Sequence, residues 1–275
     1  MVKEYEFWMK NRITECGLNQ YNSSATEKEI YAFVKEVATR GILKETDDNA
    51  FDKAKNLFAE AESGWDFTPR FKGKALDYVQ VDLNSILYKN ETILAEFATL
   101  LKKSEEAHIF KEKAFNRKQR MEKLMKDENG IYRDYDFKNK ELSSIVSVAS
   151  VLPYWANISN EKETCKKVVD KLEYSYGISA CEKCNTSIFQ WDYPNMWPPL
   201  VYFTVIGLIN VGAIDNANRI SQKYLNTVAN KFATDGCLYE KYSVLTGDYS
   251  VQEYVSPKML GWTAGVFRFL QNTFD

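Results

Sequence analysis

Apolar residues return every three to four positions along most of this chain, and that period commits it to helices. The clearest case is Thr26-Glu27-Lys28-Glu29, a capping box followed by Ile30, Phe33, Val34 and Val37 at helical spacing. Residues 49–61, 84–103, 107–125, 217–232 and 257–274 repeat the pattern. Residues 142–156 are apolar on most sides and read as a buried helix. Residues 161–176 read as a helix stopped by Gly177, and Pro198-Pro199 opens another over residues 200–211. One stretch breaks the period. Asn129-Gly130 is a hairpin signal with alternating residues after it, which predicts a short β-excursion within residues 127–137. About ten helices joined by short and medium loops predict an all-α fold of paired antiparallel helices. Periodicity alone leaves a bundle, a solenoid and an α/α toroid open, and the absence of a clear sequence repeat weighs against the solenoid.

A chain of 275 residues with no Pro/Gly/Ser-rich linker is expected to form one domain over residues 1–275. The formal net charge of −2 and the lack of a dense Lys/Arg stripe argue against a nucleic-acid partner. The basic run at 111–126 reads as a solvated helix face. No apolar stretch reaches the roughly 18 residues a bilayer span needs. The charged opening, Met1 to Met9, is not a signal peptide, and it fits a chain that begins inside its domain. Four Asn-x-Ser/Thr sequons, at Asn22, Asn90, Asn157 and Asn185, are compatible with secretion without requiring it. Of five cysteines, Cys181 and Cys184 form one CxxC, and with His108 the sole histidine a four-ligand zinc site is not expected. No phosphate-binding glycine motif is present.

Aromatic residues gather at the helix junctions: Trp65, Trp191, Tyr193, Trp197, Tyr239, Tyr242, Tyr254 and Trp262. Flat rings with apolar faces suit sugars, whose own rings present C–H faces and hydroxyl rims. Carboxylates recur beside them, at Asp66, Asp192, Glu240 and Glu253. Glycoside hydrolysis needs two carboxyl groups flanking the scissile bond, one held protonated by a water-poor setting. Trp65-Asp66 after Gly64 reads as such an arrangement, with the glycine allowing close approach to the backbone, although a Trp-Asp pair alone is more often a packed ring beside a helix cap.

These stretches together resemble the trehalases. "QWDYPNMWPPL" (190–200) is similar to the family signature Gln-Trp-Asp-x-Pro-x-x-Trp-x-Pro-Leu, and "AESGWDFTPRF" (61–71) to its Glu-Ser-Gly-Trp-Asp segment. "EYEFWM", "VDLNSILYKNE", "GIYRDYDF", "EKY" and "GWTAGV" follow in the family's order. The resemblance covers nearly the whole chain but about the C-terminal half of a typical trehalase. It implies an (α/α)6 toroid, incomplete here at its N-terminal side, and inverting hydrolysis of α,α-trehalose. It places Asp66 as general acid and Glu240 as general base. It assigns substrate contacts to Gly64, Trp65, Gln190, Trp191 and Glu253, and needs no metal or organic cofactor.

The chain departs from the family at specific places. After "LNQY" (18–21), where trehalases carry a sugar-touching Arg-Pro-Glu, it has Asn22-Ser23-Ser24. The glycine-rich lid before the final Glu-Tyr keeps Gly247 alone, and Ala264 replaces an Asn. A catalytically impaired, sugar-binding relative and another (α/α)6 glycosidase acting on α-glucans are the alternatives.

Overall fold

The computed structural model describes residues 1–184, 189–251, 254–258 and 261–274. Helices dominate it: α1 (Val2–Asn11), α2 (Glu27–Thr39), α3 (Ala50–Ser63), α4 (Val81–Leu100), α5 (Ser104–Leu124), α6 (Leu152–Trp155), α7 (Lys162–Leu172), α8 (Pro198–Asn210), α9 (Ile214–Asp235) and α10 (Gly261–Phe274). Consecutive helices pair: α2 with α3, α4 with α5, α8 with α9. Three residues join α4 to α5 and three join α8 to α9, so each pair must turn back on itself. α10 packs on α8 and α9, and α6 bridges α4 and α8.

Local chemistry explains the starts and stops. Thr26 accepts a hydrogen bond from the Glu29 amide while the Glu29 carboxylate takes the Thr26 amide at 2.7 Å, closing the capping box. α8 opens on Pro198-Pro199, where missing amide hydrogens cost nothing. A main core runs from Leu18 to Leu270 and includes Val148, Val151, Leu172, Leu208, Ile220 and Tyr224. Each fully buried Leu, Ile or Val there contributes about 1.5–3 kcal/mol. A satellite cluster holds the α2–α3 pair together through Ile30, Val34, Val37 and Ala54, and Phe67 joins it.

Short strands replace helix where the sequence alternates. β1 (Tyr78–Val79), β2 (Tyr135–Asp136) and β3 (Glu141–Leu142) form one antiparallel sheet in that order, with Val79 opposite Tyr135 and Tyr135 opposite Leu142. The turn at Gly130 is closed by a bridge between Lys126 and Tyr132. β4 (Asn195–Met196) and β5 (Tyr242–Ser243) pair antiparallel elsewhere.

Three sequence expectations fail in detail. Residues 142–156 are buried as expected but are not one helix: β3, a loop, a 3-10 turn at Val148–Val151 and the four-residue α6 share them. Serines compete with the helical ladder there. Ser143 Oγ bonds the Arg70 carbonyl at 2.7 Å and Ser147 Oγ accepts the Ala149 amide. Second, α7 ends at Leu172, and Glu173 bridges Ile178, so Gly177 sits in a turn between extended residues rather than capping a helix. Third, the basic run is not wholly solvated. Arg117 is 4% exposed and its guanidinium bonds Glu91 at 2.8 Å and Asn84 at 2.8 Å.

Candidate functional site

The first half of the site is a bend after α3. Gly64 ends the helix in the left-handed region at φ 74°, which a glycine enters without Cβ strain. Ser63 Oγ accepts the Trp65 amide at 3.0 Å, and Phe67 also turns left-handed at φ 59°. Trp65-Asp66 is thus held between two left-handed residues. The Trp191 amide bonds the Phe67 carbonyl at 3.2 Å, and Gln190 Nε2 donates to Asp66 Oδ2 at 2.7 Å. Beneath the bend, the buried Arg70 guanidinium lies 4.5 Å from the centre of the Trp65 ring. It is fixed by ion pairs to Asp82 at 2.6 Å and Asp134 at 2.8 Å.

The second half comes from the β4–β5 ladder, which sets Met196 opposite Tyr242 and so carries the 190–197 segment beside Glu240. The Glu240 amide donates to the Pro257 carbonyl at 3.0 Å, and its own carbonyl accepts Trp262 Nε1 at 3.1 Å. The Tyr254 hydroxyl donates to Glu240 Oε2 at 2.5 Å. Lys241 Nζ lies 3.3 Å from the Tyr254 ring centre, which steadies that ring over the carboxylate.

Both halves open into one cavity of about 430 Å³. Gly64, Trp65, Asp66, Gln190, Trp191 and Glu240 line it, so the structure brings together every described residue that the family resemblance assigned to the site. Four tryptophans make the wall. Trp191 stacks on Trp197 at 3.9 Å and on Trp65 at 5.5 Å, and Trp262 stands edge-on to the first two at 6.5 and 5.7 Å. Trp197 Nε1 is committed to the Gln190 carbonyl and Trp262 Nε1 to Glu240, so these rings offer faces rather than donors.

Glu253 lies outside the described residues. Asp192, grouped with the other carboxylates by sequence, does not line the cavity. It accepts the Tyr193 amide at 2.6 Å within its own turn, and burial pushes its carboxyl up to about 6. Tyr193, Tyr239 and Tyr242 likewise pack away from the cavity. Phe203 and Ser63 line it without having been foreseen. Phe203 lies four residues after Pro199 on α8, and only knowing that Pro199 faces the site reveals it.

Nothing comparable exists elsewhere among the described residues. A concavity of about 740 Å³ between α4 and α5 is larger, but it is walled by residues such as Ala95, Leu100 and Phe115 and holds no carboxylate pair. Cys16, Cys165 and Cys237 carry free thiols, and Cys181 is buried with its thiol pushed well up by desolvation. No group of three metal-ligating side chains occurs among the described residues. No described helix is long and apolar enough to cross a membrane.

The family model described as Trehalase matches residues 1–274. The chain belongs to the trehalase family. It is 28% identical to a trehalase of Apis mellifera over 100% of this chain and 49% of that protein. Its fold is similar to that of the neutral trehalase Nth1 from Saccharomyces cerevisiae, with a TM-score of 0.79 and 26% identity, covering 100% of this chain and 56% of that one. A GH63 mannosylglycerate hydrolase from Thermus thermophilus aligns at a TM-score of 0.61 and 17% identity, over 82% of this chain and 54% of that one, a likeness of fold alone. The paired helices are therefore those of the (α/α)6 barrel class. The chain spans about half the length of the trehalase relatives it matches.

Proposed function

We propose that this trehalase-family chain carries the catalytic site for inverting hydrolysis of α,α-trehalose. The observation that carries the reading is the shared cavity: Asp66 and Glu240, distant in sequence, line one tryptophan-walled hollow. Asp66 acts as general acid. Gln190 occupies its Oδ2, leaving Oδ1 to hand a proton to the bridging oxygen as the glycosidic bond breaks. Glu240 acts as general base, held by Tyr254. It takes a proton from a water that attacks C1 from the opposite face of the sugar, so one β- and one α-glucose leave. Inversion needs the carboxyls about 6.5–9.5 Å apart to admit that water. Gly64, Trp65 and Trp191 contact the sugar, as does Glu253 by family analogy.

The test is glucose release from trehalose by the parent and by the variants Asp66→Asn and Glu240→Gln. Each substitution keeps shape and removes proton transfer, so each lowers kcat by about 100- to 10,000-fold. A parent-like rate in either variant sinks the assignment. A second reading, a trehalase-like protein that holds sugar without cleaving it, draws on the lining: among the described residues walling the cavity, none is basic. Saturable trehalose binding by the parent with no glucose formed would favour it. Turnover of maltose but not trehalose would favour a glycosidase acting on α-glucans.

A further inference from the structure

Glu60 stands on the last turn of α3, in the helix that runs into the Asp66 bend, and it is 1% exposed. No ion pair to it is present among the described residues. A carboxyl so placed must find its partners in neutral donors or lose free energy. It finds one in the bend itself. Its Oε2 accepts the Thr68 amide at 3.2 Å. Phe67 is the residue whose left-handed φ of 59° turns the chain immediately after Asp66. A non-glycine residue stays in that region when its surroundings over-determine it. The next amide along, that of Thr68, anchored to a buried carboxyl, supplies such a constraint.

We infer that Glu60 is a positioning residue for Asp66: by gripping the Thr68 amide, it fixes the bend that presents the Asp66 carboxyl to Gln190 and to the cavity. The inference rests on the assignment of Asp66 as the acid. Of the ties on this bend, the Trp191 amide and Gln190 come from across the cavity, whereas Glu60 anchors it to α3. Burial pushes the Glu60 carboxyl up to about 8, opposed first by the backbone amides of the bend and least by Arg70, with the nearby Asp66 adding to the rise. The neutral form predominates at neutral pH and still accepts the Thr68 amide, so a neutral amide side chain can stand in for it.

The test compares Glu60→Gln, Glu60→Met and Glu60→Asp in the full chain, by hydrogen exchange at the Thr68 amide, by the Gln190 Nε2 proton resonances, and by kcat and KM on trehalose. Glu60→Gln keeps an acceptor at the right reach, so it holds kcat within about threefold of the parent and preserves protection at that amide. Glu60→Met keeps the length without the acceptor. Protection at Thr68 drops, the Gln190 signals shift, and kcat falls by about 10- to 100-fold with KM nearly unchanged. Glu60→Asp retains a carboxyl but retracts it, so it tests the same loss should Glu60→Met fail to fold. Met and Asp variants that fold with parental kcat, parental protection and unmoved Gln190 signals overturn the inference. If the parent itself releases no glucose, the catalytic assignment of Asp66 fails separately. The amide and Gln190 readouts then still decide whether Glu60 sets the bend.

Discussion

Two carboxyl groups six residues apart in the chain, Glu60 and Asp66, meet opposite fates. Glu60 is buried on α3, whereas Asp66 opens to the cavity through the Gly64–Phe67 bend. The buried one makes stability depend on pH. Its folded value of about 8 lies above the ordinary 4.5, so the folded state holds a proton that the unfolded state releases. The stabilisation is therefore complete below about pH 4.5 and is lost as pH rises toward 8, by up to about 1.4 kcal/mol per pH unit. In Glu60→Gln this loss is absent. Thermal unfolding at pH 5 and pH 8 should show a smaller drop for the variant than for the parent, and equal drops contradict the assignment. The residue types at the site were legible in the sequence because carboxylates and aromatic rings recur together at successive helix junctions and match the trehalase motifs; Trp-Asp alone reads more readily as a packed ring beside a helix cap. Glu60 was not, because it sits where an amphipathic helix places ordinary polar residues, and only the returning bend shows what its side chain meets.

At the scale of elements, the site depends on α8 lying close to the segment before it. Gly207, in the middle of α8, permits this: a Cβ there would come 2.7 Å from Val151 Cγ1 and 3.4 Å from the Val151 carbonyl. Gly207→Ala gains about 1 kcal/mol of helix propensity but forces Val151 to move within a packed core. The expected net effect is a loss of about 1–3 kcal/mol in denaturant unfolding; a more stable variant would show that α6 and α8 have slack. Helices with an apolar pattern repeated over several turns, such as α4, α5 and the capped α2, were readable from sequence because local preference and tertiary packing agree. The 142–156 segment was misread because burial on all sides erases periodicity, and serine-to-backbone bonds then decide its form. The two-residue strands carry too few side chains to leave a pattern. The β4–β5 pairing, which puts Glu240 beside Trp191, is a long-range contact that no local signal announces.

Across the whole molecule, one core runs from Leu18 to Leu270, and the α2–α3 satellite joins the rest at the Gly64–Phe67 bend through Phe67. The Arg12–Glu62 ion pair at 2.6 Å adds a second link. We propose that residues 1–275 act as one folding unit, and unfolding followed by near-UV and far-UV circular dichroism should then trace one coincident transition. A separate early transition confined to α2–α3 would contradict this. The central claim remains chemical: one carboxyl gives a proton while the other activates water on the opposite face of the sugar. Its most direct measurement is proton NMR of the anomeric signals during the first minutes of trehalose cleavage, before the glucose anomers interconvert. The account predicts equal initial amounts of α- and β-glucose from the parent and neither from Asp66→Asn; α-glucose alone, or undiminished release by that variant, contradicts it.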